Sequence, residues 1–224
     1  MVSNNKIHYD ISSTDLYGTL KNMYSLSMSF NKHFQIISVT GAHSSVGKTT
    51  LCSILLKNLD SFGAIKFTKT DLFMSVSDNP ETILVKGKDT AIMSEAGAQK
   101  VVWIQGPYDS LEEGLDIALS KMQGLKGVVV EGNSPVDFIN PHLIIFIMGP
   151  AGQMKESAKK VSEIADIIVI NSGNKPEDLN SLVSDIQSLH EAGKEIFWID
   201  LLHSVGEIDK LRSCVEKMLI KKLN

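Results

Sequence analysis

Ten consecutive residues, Gly-Ala-His-Ser-Ser-Val-Gly-Lys-Thr-Thr from Gly41 to Thr50, carry the clearest chemistry in this chain. They are small and polar, follow an apolar run, and open a helical pattern, which suits a loop wrapped around phosphate. A glycine at 47 lets the backbone approach an anion closely and adopt angles that other residues avoid. The backbone amides of Gly41, Ser44, Ser45, Val46, Gly47, Lys48, Thr49 and Thr50 are expected to meet phosphate oxygens, helped by the dipole of the helix that begins there. Lys48 is expected to place its ammonium on the β- and γ-phosphates, and the Thr49 hydroxyl to hold Mg2+. The spacing G-x-x-x-x-G-K-[ST] puts Ala42 at its first position, with Gly41 one residue earlier, so the loop geometry should depart from the common form. His43 is expected to face solvent.

Such a loop calls for a second acid near the metal. Glu131 ends the apolar run Gly-Val-Val-Val-Glu and is followed by Gly132, at a strand end where open parallel sheets hold their ligands. Glu131 is therefore read, with Thr49, as the magnesium partner, and with Lys48 as catalytic. Asp71, after the stretch Lys66-Phe-Thr-Lys-Thr, is the third catalytic candidate, facing Mg2+ or a second substrate. Lys66 and Lys69 are read as sharing a face, either to hold an anionic substrate or as a solvated basic edge. Asp89 orders its loop, binds substrate or caps a helix over 90–96. Asn171 ends another apolar run. Tyr108 and Asp109 follow a strand end, and Trp103 and Trp198 are expected in the core.

The elements that must position these residues alternate. Strands are expected over 34–40, 64–69, 101–105, 127–131, 143–148, 167–171 and 195–199, and helices over 48–59, 111–123, 153–164, 176–191 and 205–222. Several strands are continuous β-branched runs, as expected when both faces are covered. The implied fold is α/β, a mostly parallel sheet with helices on both faces in three layers. Residues 70–80 read as a long polar loop over the site. Residues 14–30 read as a helix in an N-terminal helical extension over 1–33, packed on the sheet or serving as a homodimer contact. Residues 34–224 then form the nucleotide-binding domain.

Composition narrows the function classes. The 224 residues are 43% hydrophobic and 21% charged, ordinary for a globular protein. A net charge of −4 and a pI near 5.9 argue against a nucleic-acid partner. No run approaches the roughly 20 apolar residues that span a bilayer, and the start of the chain is polar, so a cytoplasmic location without a membrane partner is expected. Cys52 and Cys214 lack metal-ligand spacing and read as small buried hydrophobes.

The phosphate loop with a Glu-Gly strand end resembles the P-loop nucleoside triphosphate hydrolase-like branch that contains dethiobiotin synthetase and molybdopterin-guanine dinucleotide biosynthesis protein B. Gly87-Lys88-Asp89-Thr90 and Glu95-Ala96-Gly97-Ala98 resemble segments of the latter family. The chain departs from it in following Glu131-Gly132 with Asn133-Ser134. Its Asn174-Lys175-Pro176-Glu177 also differs from a guanine-reading Asn-Lys-x-Asp segment, and the resemblance to related synthetases implies that Asn171 could read adenine instead, so GTP and ATP both remain open. The resemblance implies a slow GTPase acting as an accessory factor in molybdenum cofactor maturation, with a cofactor-maturation protein as partner. Two alternatives stand beside it: an ATP-dependent synthetase or kinase with a small-molecule acceptor, and a non-enzymatic switch.

Overall fold

The structure, a computed structural model, describes residues 33–173 and 184–222. The expected helix over 14–30, the segment 174–178 and the first part of the helix expected over 176–191 lie outside them. The described residues build a nine-stranded sheet in the order β3-β4-β2-β5-β1-β6-β7-β8-β9. Its strands are β1 (Gln35–Gly41), β2 (Phe62–Lys69), β3 (Ser75–Ser77), β4 (Val101–Gly106), β5 (Gly127–Glu131), β6 (Leu143–Met148), β7 (Ile167–Asn171), β8 (Glu195–Asp200) and β9 (Val205–Gly206). The seven central strands run parallel, and β3 and β9 pair antiparallel at the two edges.

Alternation along the strands builds two cores. Ile37 and Val39 of β1, Ile145 and Ile147 of β6, and Ile167 and Val169 of β7 face one side. There they meet helix α1 (Lys48–Leu56) through Leu51, Cys52 and Leu55, α3 (Asp89–Glu95) through Met93, and α7 (Ile208–Lys221) through Leu211, Val215 and Leu219. Ile144, Phe146, Ile168 and Ile170 face the other side, against α5 (Glu156–Ile164) and α6 (Ser184–Glu191). Helix α4 (Leu111–Ser120) packs beside β4 on that side, where a side chain at Gly114 would touch Ile104. Both faces are thus covered, which is why β5, β6 and most of β7 are buried residue after residue. The three-layer α/β architecture matches the expectation.

Three details differ from it. Residues 70–80 are not wholly loop: Ser75–Ser77 pair with the β4 edge, and the short helix α2 (Pro80–Ile83) begins at Pro80, with Asn79 accepting from the Glu81 amide at 3.0 Å. The last helix starts at Ile208, because Val205 and Gly206 pair with the end of β8 and Gly206 takes φ +105. Helices α1, α4 and α5 are shorter than their sequence patterns, since α1 ends at Leu56, α4 ends at Ser120 and α5 begins at Glu156. No helix among the described residues is long and apolar enough to cross a membrane.

Candidate phosphate-binding site

Parallel strands put their carboxyl ends on one edge of the sheet, so Gly41, Lys69, Glu131 and Asn171 all come to that edge. Strand β1 lies between β5 and β6, and the loop over 41–50 leaves from its end. Asn133, two residues beyond Glu131, clasps the loop where it starts. Its Oδ1 accepts from the Gly41 amide at 2.8 Å, and its Nδ2 donates to the Gly41 carbonyl at 2.9 Å. The Ala42 amide donates to the Ile147 carbonyl at 2.9 Å. Asn171 holds the far end, with Nδ2 donating to the Val46 carbonyl at 3.0 Å while its Oδ1 accepts from the Leu201 amide at 3.1 Å.

The unusual glycine spacing has a steric cause. A Cβ at Gly41 would lie 2.8 Å from Val46 Cγ1 and 2.9 Å from Ile147 Cγ2, whereas Ala42 is accommodated as a fully buried residue. Gly47 takes φ +110, and Ser45, without a glycine's freedom, takes φ +60. Among the described residues, the amides from Ser44 to Thr50 make no backbone hydrogen bond outside the helix. Those of the first turn are donors that a helix cannot satisfy internally. A run of such donors at a helix start suits an anion.

Charge gathers beside this loop. The Lys48 ammonium donates to the His43 carbonyl at 2.9 Å. Burial pulls its pKa below the usual lysine value and Lys66 adds to the shift, while Glu131 opposes it. Glu131 is 1% exposed; its Oε2 accepts from the Thr49 hydroxyl at 2.9 Å and its Oε1 meets the Lys66 ammonium. The same ammonium reaches Asp89 Oδ2 at 2.9 Å. Burial alone would lower the Lys66 pKa, but the Glu131 charge and hydrogen bonds to Glu131 and Asp89 hold it above the ordinary value. Register explains the meeting: Val39, Glu131, Lys66 and Trp103 are neighbours on successive strands and share one face of the sheet.

Of the residues singled out in the sequence, Thr49 and Glu131 are in direct contact, and Lys48 begins the same helix with its ammonium on the His43 carbonyl. Asp71 is exposed on the loop leaving β2 and enters no ion pair among the described residues; Asp89 is the acid tied to this cluster from that side. Asp89 does not cap its helix, whose cap position is Lys88. Lys66 and Lys69 do not share a face, because residues three apart on a strand point to opposite sides. Thr68 shares the Lys66 side and accepts from Trp103 Nε1 at 3.0 Å, while Lys69 is exposed.

Trp103 is partly buried, with the Lys88 ammonium 4.6 Å from its ring centroid, and Trp198 is core. Tyr108 donates to Asp137 Oδ2 at 3.0 Å, joining the segments that follow β4 and β5. His43 is exposed, as expected. Cys52 is buried and its thiol is pushed well up, by burial first and by Glu131, so it is a neutral core residue; Cys214 is half-buried. Beyond Asn171, a pocket of about 130 Å3 is lined by Ser172, Gly173, Trp198, Asp200 and Glu207. Asn133 was not foreseen as a site residue. Its proximity to Glu131 was visible in the sequence, but nothing local pairs it with Gly41.

No protein-family model matches the sequence, and no curated protein matches it. Solved structures do. HypB from Helicobacter pylori in complex with nickel is 12% identical over 95% of this chain and 98% of that one, with a TM-score of 0.56. The hydrogenase maturation factor HypB from Archaeoglobus fulgidus is 15% identical over 89% and 95%, with a TM-score of 0.55. A LAO/AO transport system kinase is 17% identical over 93% of this chain and 67% of that one, with a TM-score of 0.52. Identities this low speak for the fold alone, and they do not single out the dethiobiotin synthetase and molybdopterin branch. Together with the loop, the strand order and the Thr49–Glu131 contact, they place this chain in the fold of the P-loop nucleoside triphosphatases.

Proposed function

We propose that this chain binds a magnesium nucleoside triphosphate on the loop over 41–50 and cleaves or transfers its terminal phosphate slowly. The supporting observation is the Thr49 hydroxyl at 2.9 Å from the buried Glu131 carboxylate, on the helix that Lys48 begins. A hydroxyl and a carboxylate in contact beside unpaired loop amides are a fitting donor set for a hard cation that also takes phosphate oxygens. Thr49 would hold it directly and Glu131 through water. Held there, the ion would supply positive charge against the outer phosphates.

The chain's own groups do the rest. Loop amides hydrogen-bond the phosphate oxygens, and Lys48 leaves the His43 carbonyl for the β- and γ-oxygens. Glu131 Oε2, which accepts from the Thr49 hydroxyl in the free chain, would turn to the ion's water shell once Thr49 held the ion. Asn133 and Asn171 keep the two ends of the loop in register. Turnover is slow because no arginine among the described residues is placed to stabilise the transferring group; Arg212, on α7, pairs with Asp209.

A role in molybdenum cofactor maturation rests on three short sequence islands, and the fold is equally that of a transport system kinase. The proposal therefore stays with a nucleotide-dependent phosphatase or phosphotransferase, taking GTP or ATP. Thermal shift with Mg2+ and each nucleotide tests it, alongside phosphate release. Stabilisation of about 2.7 kcal/mol is expected at a hundredfold excess over Kd, lost in Lys48→Ala. No shift with either nucleotide, or an undiminished one in Lys48→Ala, would overturn the proposal.

A further inference from the structure

The Lys66 ammonium is spoken for by two carboxylates and still has a donor left. It carries three N–H groups. One goes to Glu131 Oε1 and one to Asp89 Oδ2, and among the described residues no third acceptor is within reach. Its side chain is only 15% exposed, against 45% for Asp89, so this cation is largely enclosed while still reaching the surface. It sits one carboxylate away from Thr49, whose hydroxyl holds the other oxygen of Glu131.

Strand order gives the cluster a direction. Across the carboxyl edge the sequence is β2, β5, β1, β6, β7. Asn171 and the neighbouring pocket lie at the β7 end, the loop lies over β1, and Lys66 lies on β2 beside Glu131 of β5. A nucleotide with its base towards β7 and its phosphates on the loop points its last phosphate towards β5 and β2. Lys48, Lys66, Glu131 and Asp89 carry two positive and two negative formal charges, and Lys66 is the cation of this group on the far side of Glu131 from the loop. On this strand order a diphosphate, one phosphate shorter, would reach less far towards it.

We propose that Lys66 is the contact that recognises the terminal phosphate, distinguishing triphosphate from diphosphate, and that Asp89 is a positioning residue holding its ammonium in place. This rests on the nucleotide reading above and deepens it. A purely structural Lys66, present only to neutralise Glu131, predicts something different: its loss would weaken both nucleotides alike or neither.

The experiment measures Kd for the β,γ-imido triphosphates of guanosine and adenosine, and for GDP and ADP, with Mg2+. The full chain is compared with Lys66→Met and Asp89→Asn, each checked for folding by its unliganded thermal transition. Lys66→Met is expected to weaken the triphosphate analogue by about tenfold or more while diphosphate affinity changes less than about twofold. Asp89→Asn is expected to shift the same ratio in the same direction, less strongly. Asp89 is at the surface, so this variant decides the matter if Lys66→Met fails to fold. An unchanged ratio of the two affinities in the folded variants overturns the proposal. A wild-type chain that binds none of the four ligands overturns the nucleotide reading itself, a distinct outcome.

Discussion

Replacing Asn133 by alanine tests the site at the point where tertiary structure builds it. The side chain spans two groups of one residue, accepting from the Gly41 amide at 2.8 Å and donating to the Gly41 carbonyl at 2.9 Å. That reciprocity fixes which end of the amide is oxygen. Each such bond contributes about 0.5–1.5 kcal/mol net, so losing both should cost roughly 1–3 kcal/mol. Gly41 is buried while Asn133 is half-buried, so water can satisfy the freed groups only in part. For a chain of this size the cost corresponds to a fall in Tm of about 2–12 °C.

Asn133→Asp is the sharper variant. It keeps an acceptor for the Gly41 amide but sets a second, charged acceptor against the Gly41 carbonyl, so it should be at least as unstable as alanine. Urea unfolding gives the stability of each, and titration with Mg2+ and triphosphate gives the affinity, which should fall with the loosened loop. An Asn133→Ala chain within about 0.5 kcal/mol of wild type, with its affinity intact, would refute the clasp.

Two further outcomes follow from the same geometry. Gly47→Ala puts a Cβ at φ +110, 2.7 Å from Leu201 Cδ1 and 3.2 Å from Asn171 Nδ2, so thermal denaturation should show a loss of about 1–3 kcal/mol, and binding should weaken; a wild-type Tm with normal binding would contradict the strain. Burial lowers the Lys48 pKa in the free chain, and phosphate contact should raise it again, so binding takes up protons at alkaline pH and affinity declines once pH passes the free-chain pKa. Calorimetry in buffers of different ionisation enthalpy reads that uptake, and zero uptake from neutral to strongly alkaline pH would exclude the coupling.

Much of this molecule was legible along the chain. The Gly47-Lys48-Thr49 run is contiguous, so its chemistry needs only the strand before it and the helix after it, both of which local pattern reveals. Strands β5, β6 and β7 fall where their apolar runs lie, because a strand buried on both faces has no polar alternation to blur its limits. Glu131 was readable as an acid at a strand end for the same reason.

Strands β3 and β9 were not legible, since short polar segments become strands only by pairing with the edges of β4 and β8. Nor was the pairing of Asn133 with Gly41, 92 residues away, or of Lys66 with Glu131, 65 residues away. Sequence on its own determined that a glycine-bearing loop joins a strand to a helix and that an acid ends another strand, because those depend on neighbours along the chain. Which side chains flank them was decided by β5 lying between β1 and β2, a pairing set by how the whole sheet buries its two faces and not by any local spacing.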